Sequence, residues 1–192
     1  MPVKREVRVV GFDDVPFERS DAKVPVVGVA MRGGQYVEAI LRTEVERDGD
    51  DATDRLAACV EGYRGRANLV AVLLQNLMVA GFNTVDALRL HDLTGLPVIA
   101  VARGKPDLEA VKSALHSIRI PNGRAKWARI ERVAGRMRSL QGGRATMTPV
   151  GLREEEAREL LKLCTVRGLM PEPLRIAHLI GAGWVLGQSK GS

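Results

Sequence analysis

Apolar runs of strand length alternate with amphipathic stretches along most of this chain, and that alternation restricts its fold more than any other feature. Val7-Arg8-Val9-Val10 is short, β-branched and alternating, which marks a first strand. Val24 to Met31 is an apolar run of strand length. Arg32-Gly33-Gly34 is a tight turn, and Gln35 to Glu46 returns as the partner strand of an antiparallel hairpin. Asn68 to Leu74 and Leu96 to Val101 read as buried strands, the first of a parallel kind. A helix begins near Asp51 or Thr53 with Leu56, Ala57 and Val60 inward, and another follows Gly81-Phe82-Asn83 with Val85, Leu88 and Leu93. A third starts at Lys105-Pro106-Asp107, with Pro106 just inside the helix and Leu108, Val111 and Leu115 inward. Thr146 to Val150 supplies a last short strand. Glu154 to Val166, with an acidic first turn and Gly168 as its stop, is a strong helix, and Pro171 and Pro173 open a final one.

This order predicts an α/β mixed sheet with an antiparallel hairpin edge, a parallel remainder, flanking helices and two C-terminal helices. It matches a ribonuclease H-like layout better than a Rossmann fold, whose first turn needs a Gly-x-Gly-x-x-Gly that is missing after the first strand. At 192 residues the chain reads as a single domain, residues 1–192, long enough for a proper core. No apolar run approaches the ~20 residues of a membrane span. The start, Met1 to Glu6, lacks the apolar region of a signal peptide. Cys59 and Cys164 lie far apart, form no metal-binding pattern and read as buried thiols. A cytoplasmic protein without a membrane partner is the simplest expectation.

The net charge of +6 is unevenly spread. Between Arg119 and Arg144 stand eight basic residues and one acid, Glu131, whereas Glu38 to Glu61 holds eight acids against Arg42, Arg47 and Arg55. A basic strip and an acidic cluster in one small chain suit a polyanion held by one and cut with metal ions at the other. A solvated, salt-bridged surface explains the same charges, and both readings stand at this point. The segment Arg124 to Arg138 reads as a helix with Trp127, Ile130, Ala134 and Met137 on one face and Arg129, Arg132 and Arg136 on another. Trp127 belongs to the apolar stripe and reads as a core anchor.

Gly11-Phe12-Asp13-Asp14 ends the first strand. Two carboxylates at a strand tip form a hard-oxygen site suited to Mg²⁺ or Mn²⁺, ions that activate water for phosphodiester cleavage; either Asp also suits a turn. Asp48, Asp50 and Asp51 follow the third strand, and Asp86 opens the helix after the fourth. Strand ends gather such residues at one crevice. A hairpin exit and helix caps account for them equally well. His91, His116 and His178 share no ligand spacing. Packing is the plainer role for His178, beside a catalytic one. Glu172 and Arg175 are spaced as a helix-surface pair or as lining of the crevice.

Gly11-Phe12-Asp13-Asp14, Arg32-Gly33-Gly34, Asp48-Gly49-Asp50-Asp51-Ala52-Thr53, Ala80-Gly81-Phe82-Asn83-Thr84-Val85-Asp86, Gly95-Leu96-Pro97-Val98-Ile99 and Pro171-Glu172-Pro173-Leu174-Arg175-Ile176-Ala177-His178 together resemble the archaeal endonuclease dU family, over nearly the whole chain. That family is related to endonuclease V and shares its ribonuclease H-like fold. The resemblance implies a divalent-metal-dependent endonuclease of nucleic-acid repair that cuts at or near a deaminated base, deoxyuridine in the family's name. It also implies that Asp13, in a Gly-x-Asp, is a metal ligand. Endonuclease V carries a second ligand in an Asp-Gly at the end of its central strand. Here Leu73-Leu74-Gln75-Asn76 occupies that run, with no carboxylate.

The expected ligands are therefore Asp13, Asp14, Asp48 and Asp86 for Mg²⁺ or Mn²⁺, with Asp50 added to the catalytic set. Arg124, Lys126, Arg129, Arg132 and Arg136 are expected on the phosphates of nucleic acid, DNA before RNA. Phe12, Phe82, Asn83, Glu172, Arg175 and His178 are the candidate crevice residues, with Phe12 and Phe82 placed to stack on a flipped base or to pack. The rival expectation is a noncatalytic nucleic-acid-binding protein of the same fold, which Gln75 favours.

Overall fold

In the computed structural model, residues 6–117 and 119–190 are described. The reading of Met1 to Arg5 lies outside them. The elements are β1 (Arg8–Asp14), β2 (Lys23–Arg32), β3 (Tyr36–Glu46), α1 (Ala52–Glu61), β4 (Leu69–Gln75), the short β5 (Met78–Val79) and β6 (Asn83–Thr84), α2 (Ala87–Thr94) and β7 (Val98–Arg103). There follow α3 (Leu108–Leu115), α4 (Gly123–Ala134), β8 (Arg138–Leu140), β9 (Ala145–Val150), α5 (Glu154–Cys164) and α6 (Glu172–Leu186). The described strands form a seven-stranded mixed sheet in the order β3-β2-β1-β4-β7-β9-β8, with β5 and β6 paired apart from it.

The ribonuclease H-like architecture stands, with the β2–β3 hairpin on one edge, pairing Lys23 with Glu46 through to Arg32 with Tyr36. The parallel part is narrower than expected. Only β1, β4 and β7 run together, and β9 and β8 add a second antiparallel edge. Strand β8 begins at Arg138, the residue expected to end the basic helix. Helix α4 ends at Ala134, and Gly135, Arg136 and Met137 turn the chain so that Met137 packs on the core. Three boundaries also move. Strand β1 runs on through Asp14, α5 stops at Cys164, and Pro106 lies before the cap of α3, which is Asp107 accepting from the Ala110 N–H.

Strand alternation sorts the core onto two faces. Val10, Phe12, Val72, Leu74 and Ala100 pack with Leu56 of α1, Leu90 of α2 and Ile130 of α4. Val9, Ala71, Leu73, Ile99 and Val101 pack with Leu160 and Leu161 of α5 and Leu174 of α6. Trp127 is buried on the first face, as its place in the apolar stripe requires. Both cysteines are free thiols; burial lifts that of Cys164 to about 12. No described helix is long and apolar enough to cross a membrane.

Candidate active site

The C-terminal ends of β1, β4 and β7 open on one edge of the sheet, and β1 brings Asp13 and Asp14 to it. Alternation turns Asp13 toward the α6 side and Asp14 toward the opposite side, but at the strand tip their carboxyls lie within hydrogen-bonding reach of each other. Asp13 is 3% exposed. The Ala80 backbone N–H donates to Asp14 Oδ2 at 2.8 Å. On the α6 side, His178 Nδ1 lies 3.0 Å from Asp13 Oδ2, with its ring still substantially exposed. Burial pushes the Asp13 carboxyl up to about 8, the adjacent Asp14 charge adding to the rise and the Arg103 guanidinium opposing it. Asp14 is also raised by burial, against the Ala80 N–H and His178. A buried and a half-buried carboxyl side by side, each disfavoured as an anion, mark a place where a cation would be welcome.

The other expected acids are placed differently. Asp48 stands one residue from the tip, through Ala80: its own N–H donates to the Ala80 carbonyl, and its Oδ1 accepts from the Phe82 N–H at 2.9 Å. Its other oxygen accepts from Arg47 at 2.9 Å. Asp50 is held by Arg129 at 2.5 Å and by Asn122 at 3.2 Å. Asp86 caps α2 by accepting from the Arg89 N–H at 3.1 Å, and Arg132 takes its other oxygen. Asp86 thus serves helix initiation and an ion pair. Among the described residues, no three His, Cys, Asp or Glu side chains are grouped so as to hold a metal ion.

Three of the five expected phosphate contacts are engaged inside the chain. Lys126 is fully buried and its Nζ donates to the Asp48 carbonyl at 2.6 Å, while Arg129 and Arg132 hold Asp50 and Asp86. Helix amphipathicity revealed the basic face of α4 but not the acids that meet it. Arg124 and Arg136 are exposed and carry no described partner.

Of the candidate crevice residues, Phe12 is a core side chain lying across Gly28 of β2, where an added β-carbon would come within 2.5 Å of its ring. Asn83 is a buried clasp: Oδ1 accepts from the Ala52 N–H at 3.1 Å, and Nδ2 donates to the Glu46 carbonyl and Asp51 Oδ1, both at 2.8 Å. Phe82 is half-buried against the core. Glu172 is buried and accepts twice from Arg175, at 2.9 and 2.5 Å, so this pair is not a surface pair. His178 joins Asp13.

Gln75 ends β4 beside the tip. The parallel register pairs Phe12 with Leu74, which makes Gln75 the next neighbour of Asp13, and no described group bonds its amide. Two contacting carboxylates with a neutral amide oxygen nearby fit one hard divalent cation completed by water and phosphate oxygens; they do not fit an array of four carboxylates around two ions. Sequence reasoning missed Arg103, an exposed cation at the end of β7 whose charge reaches Asp13. The signal was available, since the ends of neighbouring parallel strands line one crevice.

Comparison with known proteins places this geometry in context. A family model described as Endonuclease dU matches residues 5–185. A "UPF0215 protein" of Methanothermobacter thermautotrophicus is 42% identical over 192 residues, covering 99% of this chain and 93% of its own. The crystal structure of a protein of unknown function from Archaeoglobus fulgidus superposes with a TM-score of 0.84 at 36% identity, covering 94% of this chain and 99% of that one. Endonuclease V of Ciona intestinalis, in complex with a 23mer DNA containing an inosine, gives a TM-score of 0.59 at 13% identity, covering 90% and 82%, a likeness of fold.

Proposed function

The chain belongs to the endonuclease dU family, and from that premise we propose that it is a divalent-metal-dependent endonuclease cutting DNA at or near deoxyuridine, in repair of deaminated bases. The observation that carries this reading is the buried Asp13 beside the half-buried Asp14 at the tip of β1, with His178 against Asp13. Asp13 and Asp14, with the Gln75 amide oxygen, would hold Mg²⁺ or Mn²⁺, which when bound supplies an activated water and charge neutralisation on the phosphate.

The protein's own groups do the rest. Asp13 orients the His178 ring through Nδ1, and the exposed remainder of the ring serves through Nε2 as a proton donor or acceptor for the strand. Arg103, exposed at the same edge, meets a phosphate beside Asp13 and aligns the backbone. Arg124 and Arg136 are the members of the basic strip left to add affinity along the strand. That the fold resembles an endonuclease V bound to inosine-containing DNA supports a nucleic-acid substrate.

The noncatalytic reading draws on Gln75, which supplies no negative charge. One assay separates the two: incision of a labelled oligonucleotide carrying one deoxyuridine, with Mg²⁺, Mn²⁺ or chelator, by the native protein and Asp13→Ala. Metal-dependent cutting that Asp13→Ala abolishes is the expected result. Tight binding without cutting would establish the noncatalytic protein.

A further inference from the structure

We infer that Gly11 and Gly181 are positioning residues, whose lack of a β-carbon lets α6 lie on β1 at the separation that brings His178 to Asp13. A β-carbon on Gly11 would fall 2.7 Å from Pro173 Cβ, 2.9 Å from the Pro173 carbonyl carbon and 3.0 Å from the Leu174 nitrogen. One on Gly181 would fall 3.1 Å from Val15 Cγ1 and 3.2 Å from Val15 Cα. The contacts run in step along both elements. Gly11 meets Pro173 and Leu174, Asp13 meets His178, and Val15 meets Gly181. Residues 11, 13 and 15 share the strand face that α6 covers, and the Asp13–His178 contact lies between the two glycine seats.

Neither glycine has a positive φ, so neither is there for backbone freedom. Glycine is unfavourable in the middle of a strand and of a helix, which leaves close approach as the physical reason for both. Gly183, two residues further along α6, provides the contrast: a β-carbon there meets nothing within 4 Å. Gly11 in the Gly-Phe-Asp-Asp motif is therefore a seat for the C-terminal helix.

The inference rests on the reading of Asp13 and His178 as the reacting centre, and its test keeps the two apart. Gly181→Ala, Gly183→Ala, the double variant Gly181→Ala with Val15→Ala, and Gly11→Ala are each crystallised without metal and assayed by deoxyuridine incision. Gly181→Ala is expected to lengthen the His178 Nδ1 to Asp13 Oδ2 separation beyond its present 3.0 Å. It is also expected to lower kcat about 3- to 10-fold with KM little changed, since contacts of 3.1 and 3.2 Å ask the neighbour to give by a fraction of the 1 Å that costs about 10²-fold. Gly183→Ala keeps both at wild-type values, and Val15→Ala recovers part of the loss by removing Cγ1, the nearest contact, while Val15 Cα stays 3.2 Å away. Gly11→Ala meets backbone and moves α6 further. Where it does not fold, the Gly181 series decides. An unchanged separation and rate in Gly181→Ala, or an equal loss in Gly183→Ala, overturns the inference. If the wild-type protein cuts nothing, or His178→Ala cuts as well as wild type, the reading of the site fails, and the seat stands or falls on the crystallographic separation.

Discussion

At the tip of β1, the buried Asp13 and the half-buried Asp14 lie together with no guanidinium or ammonium on either among the described residues, whereas each Asp from 48 to 54, and Asp86, meets an arginine. Asp48 pairs with Arg47, Asp50 with Arg129, Asp51 with Arg55, Asp54 with Arg89 and Asp86 with Arg132. Among the described residues, the tip carboxyls have only His178 as an ionisable basic contact, with Arg103 acting through space. Acids whose charge is matched within the chain build structure. Acids buried without a matching cation hold electrostatic energy that a bound cation can release. The surplus of arginine on α4 is therefore largely a clasp onto the 48–54 turn and α2. The negative charge available for chemistry is concentrated on two residues.

The largest effect expected from this contrast is on catalysis. Asp13→Ala should abolish metal-dependent incision, and His178→Ala should slow it by about 10²–10⁴-fold, both with little change in the far-UV spectrum. Asp50→Ala and Asp86→Ala should retain incision per folded molecule. A dead Asp86→Ala protein that still melts like wild type would break the comparison, because it would make a clasp residue part of the chemistry.

Next comes pH dependence of the metal-free protein. Asp13 holds its proton in the folded state up to about 8 but loses it near 3.8 when unfolded. Between those values the folded state binds more protons, so this group's contribution is full at acidic pH and is lost as pH rises toward 8. The limiting slope is about 1.4 kcal/mol per pH unit for one proton. Urea unfolding from pH 4 to 8 should show this decline in the wild type, and a flatter profile in Asp13→Asn. A wild-type profile that rises over the same window would overturn the electrostatic account of the tip.

Smaller effects belong to the clasp. Lys126→Met leaves the part-buried Asp48 carbonyl without its donor and should destabilise by about 1 kcal/mol. Asp86→Ala removes a helix cap and should cost about 1 kcal/mol. Thermal melts check both, and an unchanged midpoint in each would mean that the pairs contribute nothing. The smallest differences lie in the salt dependence of DNA binding. Arg124→Ala and Arg136→Ala should each reduce the slope of log K against log salt by about 1, and Arg129→Ala by less, since its charge is already spent on Asp50. Equal slopes for all three would show that the clasp opens onto the strand.

Much of this was legible beforehand, for reasons visible in particular residues. The hairpin, the buried β4 and β7 and the two final helices follow from alternation and from Gly and Pro punctuation, which are local properties. Asp13 stood out because it ends an apolar strand in a Gly-x-Asp that resembles the metal-binding one of endonuclease V, although an Asp there also suits a turn. His178 was less legible, since packing is the common fate of a histidine on an amphipathic helix and its partner lies 165 positions away. Strand β8 was missed because Arg138-Ser139-Leu140 carries no strand pattern and becomes one only by pairing with Ala145 to Met147. Phe12 and Asn83 looked like crevice residues from their neighbours in sequence, but strand alternation and a backbone clasp put both in the interior.

The amino-acid sequence by itself determined the order of the elements, the place of Asp13 and Asp14 at a strand end and the uneven distribution of charge, because periodicity and capping act over a few residues. Only the tertiary structure decided which charges cancel. Whether Arg132 meets Asp86 or a phosphate, whether Asp14 keeps a cation and whether His178 reaches Asp13 all depend on separations between elements far apart in the chain. Electrostatic energies change steeply over those few ångströms, so a charge count along the sequence carries no such information.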